Sequence, residues 1–206
     1  MRRIGTKMLL YSAMAILFFL GYRYVAEVTA VRSVETSFLT PIDGMIPFIP
    51  EFVFPYMSLY ALFWLPVIVS RNITLRDFAT IIVATAGMFA VAFTVYAIIP
   101  SRYPRPEVCP DTSFVYYILA KALYAYDLPN NTLPSTHAAV VAILLSAARK
   151  KFGRRTYAVY ALWGASILLS TVTVKQHFVV DLVSGIVLGV VMYAVARRIV
   201  GNARTT

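Results

Sequence analysis

The stretch Asn130–Leu145, NNTLPSTHAAVVAILL, decides how this chain is read. An unbroken apolar run starts at Ala138, directly behind Pro134, Ser135, Thr136 and His137. Proline suits a first helical turn, and a serine beside it can cap free N–H groups. Neither rule accounts for a histidine just inside an apolar segment. A helix from Ser135 to Arg149 would rise only about 22 Å at about 1.5 Å per residue, less than a bilayer core. The histidine end is therefore expected below the membrane surface, in a pocket.

The rest of the chain supports a membrane setting. It has 206 residues, 60% of them hydrophobic, with a mean hydropathy of +0.73, whereas a soluble domain sits near about 45–50% apolar. The excess falls in six blocks, roughly 8–28, 53–70, 77–99, 134–149, 155–173 and 178–199. Most approach the roughly 20 residues that cross a bilayer. Between the third and fourth lies DTSFVYYILAKALYAY, residues 111–126, apolar but interrupted by Lys121 and rich in tyrosine. An interfacial helix fits it better than a seventh span. The expected fold is all-α, a polytopic bundle of six transmembrane helices, with one domain over residues 1–206 and no soluble second domain or repeat. The opening MRRIGTK resembles a signal peptide, but no small-residue cleavage site follows, so a retained first helix is expected. The single Cys109 excludes an internal disulfide and a cysteine-rich metal site.

A net charge of +10 could point to nucleic acid; in an apolar chain it records orientation instead. With six crossings, the termini and the second and fourth loops share one side. That side holds Arg2, Arg3, Lys7, Arg71, Arg76, Arg149, Lys150, Lys151, Arg154, Arg155, Arg197, Arg198 and Arg204, 13 of the 19 basic residues, against the one acid Asp77. The other side holds 6 basic and 8 acidic residues. The positive-inside rule makes the first side cytoplasmic. No nucleic-acid partner is expected.

Three polar clusters then reach the outer side. His137 and His177, the two histidines of the chain, each fall near the outer, N-terminal end of a helix. Asp181 follows His177 by four residues, on the same helical face, inside an apolar segment where a carboxylate is costly. Arg102 and Arg105 lie just beyond the third segment, in IIPSRYPRPEV. Helix N-termini favour phosphate, and arginine binds its oxygens in pairs. An imidazole held by a carboxylate is an oriented nucleophile or base, and a second histidine could protonate a leaving oxygen. Two histidines and a carboxylate could also hold a metal, but the flanking arginines favour an anionic ligand. Plainer roles exist for each group. A membrane histidine can simply bond a neighbouring helix. His177 and Asp181 can be a structural pair, Arg102 and Arg105 interfacial anchors, Lys175 a snorkelling side chain and Ser135 a cap. Convergence on one side favours a site.

These residues resemble a known family. PSTH resembles the second signature, P-S-x-H, of the type-2 phosphatidic acid phosphatase superfamily. STVTVKQHFVVD resembles the third, S-R-x5-H-x3-D, and RYPRPEV the end of the first, K-x6-R-P. Order along the chain and a six-helix plan agree as well. TPIDGMIPFIPEFVFPY, residues 40–56, further resembles the branch related to inositol phosphorylceramide synthases. The resemblance implies that His177 forms a phosphohistidine, Asp181 orients it, His137 is the general acid, and Arg105 and Ser135 bind the phosphoryl group. It implies no metal or other cofactor. Two signature cations are missing, because Ile98 and Thr171 stand where the family has Lys and Arg. Lys175 and Arg102 are the expected substitutes.

The expected function is a lipid phosphate or diphosphate phosphatase, acting on a lipid phosphate or prenyl diphosphate. Its site would lie on the extracytoplasmic side of the cell membrane. An alcohol in place of water would make it a headgroup phosphotransferase. A non-catalytic lipid-binding or transport bundle predicts polar residues near the bilayer midplane, whereas here they cluster at one end.

Overall fold

The computed structural model describes residues 2–31, 36–68 and 73–202; Arg71 and Arg204 of the inner charge set lie outside them. Every regular element among these residues is helical, and the extended segments make two isolated bridges, Thr36 with Ser101 and Arg102 with Asn130. Four helices are long and apolar enough to cross a membrane: α1 (Arg2–Ala30), α5 (Leu75–Ile98), α8 (Arg154–Thr173) and α9 (Val179–Asn202). Between α1 and α5 come α2 (Pro41–Met45), α3 (Val53–Met57) and α4 (Leu59–Ile68). The block expected as a single second span is thus broken at Ser58, whose hydroxyl donates to the Pro55 carbonyl at 2.6 Å and accepts the Trp163 indole N–H at 2.8 Å. The aromatic stretch after α5 folds as α6 (Phe114–Tyr117), which runs on into a π-helical segment, Ile118–Tyr124.

α7 (Thr136–Ala148) occupies the centre, packed on α9, α5, α8 and α4. Its 13 residues rise about 20 Å. Every side chain from Ala138 to Leu144 is buried, so the helix faces protein on all sides. That burial needs close helix approach. A Cβ at Gly185 of α9 would collide with the Ser135 carbonyl, and one at Gly189 with the Ala139 carbonyl. The pair Gly185 and Gly189, four apart, meets Ala138, Ala139 and Ala142 in the small-residue packing that lets helix backbones touch. α1, by contrast, is mostly exposed, with Leu9, Leu17 and Leu20 on its outside.

The polar loop 125–135 covers one end of the bundle. Asn130 donates to the Ala26 carbonyl at 2.7 Å and to Thr29 at 2.9 Å, and Thr29 donates to Asn131 at 2.9 Å. Asn131 takes φ of 60°, a region that asparagine tolerates. Ser101 accepts the Thr132 amide at 2.9 Å. The loop is thereby anchored both to the end of α1 and to the segment following α5.

Candidate active site

His137 and His177 face each other across this end, with ring centroids 5.8 Å apart. The α7–α9 contact brings them together. The Ser135 amide donates to the Asp181 carbonyl at 3.0 Å, so the first turns of the two helices lie side by side. His137 is the second residue of α7, and His177 sits two residues ahead of α9. After α8 the chain turns sharply, with Lys175 at φ 56°. The Thr171 carbonyl accepts the amides of both Gln176 and His177, at 3.1 and 3.0 Å.

His177 is buried, and its Nδ1 lies 3.1 Å from the Thr132 carbonyl and 3.6 Å from Asp181 Oδ2. A carbonyl can only accept, so this contact assigns the proton to Nδ1 and leaves the lone pair on Nε2. The direct hydrogen bond is therefore from His177 to Thr132. Asp181, fully buried, accepts the Phe178 amide on Oδ2 at 2.8 Å, while its Oδ1 has no hydrogen-bond partner. Its Oδ2 thereby caps α9 and lies beside His177.

Arg105 donates to the Asp127 carbonyl at 2.6 Å and to the Gln176 side-chain oxygen, and its guanidinium lies 4.6 Å from the centre of the Tyr124 ring. Because Gln176 precedes His177, the guanidinium is tied to the turn that carries the histidine. Ser135 is buried and caps α7, its Oγ accepting the Ala138 amide at 3.3 Å.

Behind His137 stands a group that the motifs do not contain. Tyr56 of α3 places its hydroxyl 3.4 Å from His137 Nδ1 and donates to Asp127 Oδ2 at 2.7 Å. Tyr22 of α1 donates to Asp127 Oδ1 at 2.6 Å. Burial pushes the Asp127 carboxyl up, but His137, Arg105 and the two phenols outweigh it and hold it below its ordinary value. The contacts close a ring: His177, Gln176, Arg105, Asp127, Tyr56, His137 and back to His177.

A family model for the PAP2 superfamily matches residues 82–205. The chain belongs to the PAP2 superfamily. No match was found among curated proteins, and none among solved structures. The PAP2 match contains Arg105, Ser135, His137, His177 and Asp181, and it begins after the 40–56 stretch. Members of this superfamily are generally phosphatases or phosphotransferases, and the apolar helices fit a membrane protein of that kind.

Ile98 and Thr171 stand at the positions of the two missing PAP2 cations. Ile98 is exposed at the end of α5, and Thr171 is buried with its hydroxyl donating to Leu168 at 2.8 Å. Lys175, expected to curl toward the phosphoryl oxygens, is held instead by the Ile46 and Asp43 carbonyls at 2.6 and 3.2 Å. Burial pulls its ammonium below the ordinary lysine value, and the Asp43 carboxylate opposes this. Arg102 is exposed, its backbone pairing with Thr36 and Asn130. Donors do remain near Arg105. Arg105 Nε and Gln176 Nε2 are buried with no hydrogen-bond partner. Gln176 passes in sequence for a turn residue, and Asp127 for an outer-loop charge; Tyr56 lies 81 residues from its histidine. Only the signal of a carboxylate and an amide beside motif residues was available in advance.

Asp127, Thr136 and His137 line a cavity of about 400 Å³. Its walls are apolar and aromatic, with Phe18, Phe19, Tyr60, Phe63, Trp64 and Phe89 among them. Among the described residues, no cluster of three or more His, Cys, Asp or Glu side chains is arranged to hold a metal ion.

Proposed function

We propose that this chain is an integral membrane enzyme that takes the phosphoryl group from a lipid phosphate or diphosphate through a phosphohistidine on His177. The observation that carries this reading is the histidine pair, 5.8 Å between ring centres, with the Nε2 lone pair of His177 fixed by the Thr132 carbonyl. In the first step Nε2 bonds to phosphorus, the bond to the leaving oxygen breaks, and His137 gives that oxygen a proton. In the second step water adds to phosphorus, the P–N bond breaks, and His137 takes the water proton. Asp181 stabilises the charge on His177. Arg105, the Gln176 amide and Ser135 bind the phosphoryl oxygens, with Arg105 Nε and Gln176 Nε2 as their open buried donors. The aromatic cavity that His137 helps to line suits the apolar tail of such a substrate.

The same reading has six crossings, with 111–126 as an interfacial helix, the basic loop 149–155 in the cytoplasm and the site outside, in the cell membrane. Labelling tests it. Exposed Cys109 should react with an impermeant thiol reagent on intact cells, whereas a cysteine placed within 149–155 should not. The opposite pattern reverses the topology.

Transfer to an alcohol is a second reading. The loop holding Lys175 belongs to the 40–56 stretch, and Asp43 Oδ1 accepts the Val179 amide at 2.7 Å, at the first residue of α9. That stretch therefore borders the site where an acceptor would enter. Purified protein should be given phosphatidate, lysophosphatidate and prenyl diphosphates, with and without inositol. Free phosphate supports hydrolysis, and a new phosphoinositol lipid supports transfer. Equal turnover by wild type and His177→Ala would remove both.

A further inference from the structure

Each carboxylate oxygen of Asp127 receives one phenol proton, from Tyr22 at 2.6 Å and from Tyr56 at 2.7 Å. With its proton directed to Asp127, Tyr56 has only oxygen lone pairs to offer His137 Nδ1, 3.4 Å away. Nδ1 must therefore be the donor in that contact. The Tyr56 and His137 rings also lie against each other, with centroids 4.4 Å apart.

The charged and titratable groups around His137 come from every neighbouring element. Tyr22 is on α1, Tyr56 on α3, Tyr60 on α4 and Tyr96 on α5, where its hydroxyl donates to the Pro134 carbonyl. Arg105 and Asp127 are on the covering loops, and His177 stands opposite with Asp181 behind it. Of the two carboxylates, Asp181 serves His177, and Asp127 is the one on the side of His137.

We propose that Tyr56 and Asp127 are positioning residues for His137: they keep a proton on Nδ1, make Nε2 the working nitrogen, and hold the ring ready to deliver a proton. The proposal rests on His137 being the general acid. In the first step the protonated ring gives its Nε2 proton to the leaving oxygen as the P–O bond breaks, and the neutral ring keeps its Nδ1 proton on Tyr56. In the second step Nε2 takes the proton of the attacking water as the P–N bond at His177 breaks. No proton passes to Asp127; its charge, relayed by the phenol, favours the protonated ring. The low value to which its neighbours hold Asp127 keeps that charge in place.

The experiment is histidine NMR on the purified full chain in detergent micelles. With two histidines in the chain, His177→Ala assigns both signals. In Asp127→Asn the titration midpoint of His137 should fall by about one pH unit, the lower end of the range for a nearby opposite charge, while His177 stays in place. Tyr56→Phe, which retains the ring packing, should move His137 the same way by less, and it carries the test if Asp127→Asn does not fold. An unmoved His137 overturns the proposal, whether or not the protein turns over any substrate. Kinetics supply the second arm. Asp127→Asn should slow release from an alkyl phosphate about 100-fold, the lower end of a general acid's contribution, and from p-nitrophenyl phosphate far less. Equal losses on both substrates would mean that Asp127 only holds the fold together, and would also overturn it. If wild type and His177→Ala release phosphate equally from every substrate, the phosphohistidine reading fails, and the NMR result still decides whether Asp127 tunes His137.

Discussion

Asp181 and Asp127 each stand behind one histidine, yet they were assembled in different ways. Asp181 lies four residues from His177 on the same segment, is fully buried, and also caps α9 through the Phe178 amide. Asp127 reaches His137 only through Tyr56, and it is held by phenols from α1 and α3. The first arrangement is local, between the turn just ahead of α9 and the first turn of that helix. The second needs three distant segments to fold before it exists. A local pair leaves a spacing in the sequence; an assembled one leaves none.

The histidines give the largest expected effects. His177→Ala should bring turnover to background, because the proposed phosphohistidine loses the nitrogen that forms it; retained activity breaks the comparison at its root. His137→Ala should lose about 1,000-fold with an alkyl phosphate, within the range for general acid catalysis, and far less with p-nitrophenyl phosphate. Uniform loss would give His137 a role other than proton donation. The paired kinetics should also show a bell-shaped pH profile, since a neutral His177 and a protonated His137 are needed together.

Asp181→Asn sharpens the contrast with Asp127. The amide can still accept the Phe178 N–H, so the protein should fold, as circular dichroism and melting would report. Turnover should fall about 10- to 100-fold for good and poor leaving groups alike, because the charge behind the nucleophile serves every substrate. If Asp181→Asn instead discriminates between leaving groups, the two carboxylates do not divide the work between the histidines.

Gln176→Leu should raise KM about tenfold with a smaller change in kcat, the size of one hydrogen bond to a charged group. Unchanged KM and inhibition by orthovanadate would remove Gln176 from the phosphoryl site. The smallest effect is expected at Lys175. Its ammonium holds the Ile46 and Asp43 carbonyls, so Lys175→Ala should lower stability by about 1 kcal/mol and activity less than threefold. A collapse in turnover with no change in melting would return Lys175 to the phosphate.

Much of the helical plan was legible in advance. α5, α8 and α9 fall within a few residues of the apolar blocks that predict them, because a long apolar run carries its own signal. The second block predicts a single span, and hydropathy does not register the turn at Ser58 that a tryptophan from α8 completes. The short fourth block folds as α7, whose burial from Ala138 to Leu144 has a tertiary reason: α9 offers Gly185 and Gly189, and the backbones touch.

By itself the sequence determined an apolar helical chain, the three motif clusters in order, and the Asp181 spacing behind His177, because periodicity and signature residues are local properties. Only the tertiary structure decided the rest. It gave the hydrogen bond of His177 to Thr132 rather than to Asp181, placed Asp127 and Tyr56 behind His137, left Gln176 with an open donor, and turned Lys175 toward the 40–49 loop. A hydrogen bond depends on where two atoms meet, and these partners lie as many as 132 residues apart, a relation that no spacing along the chain encodes.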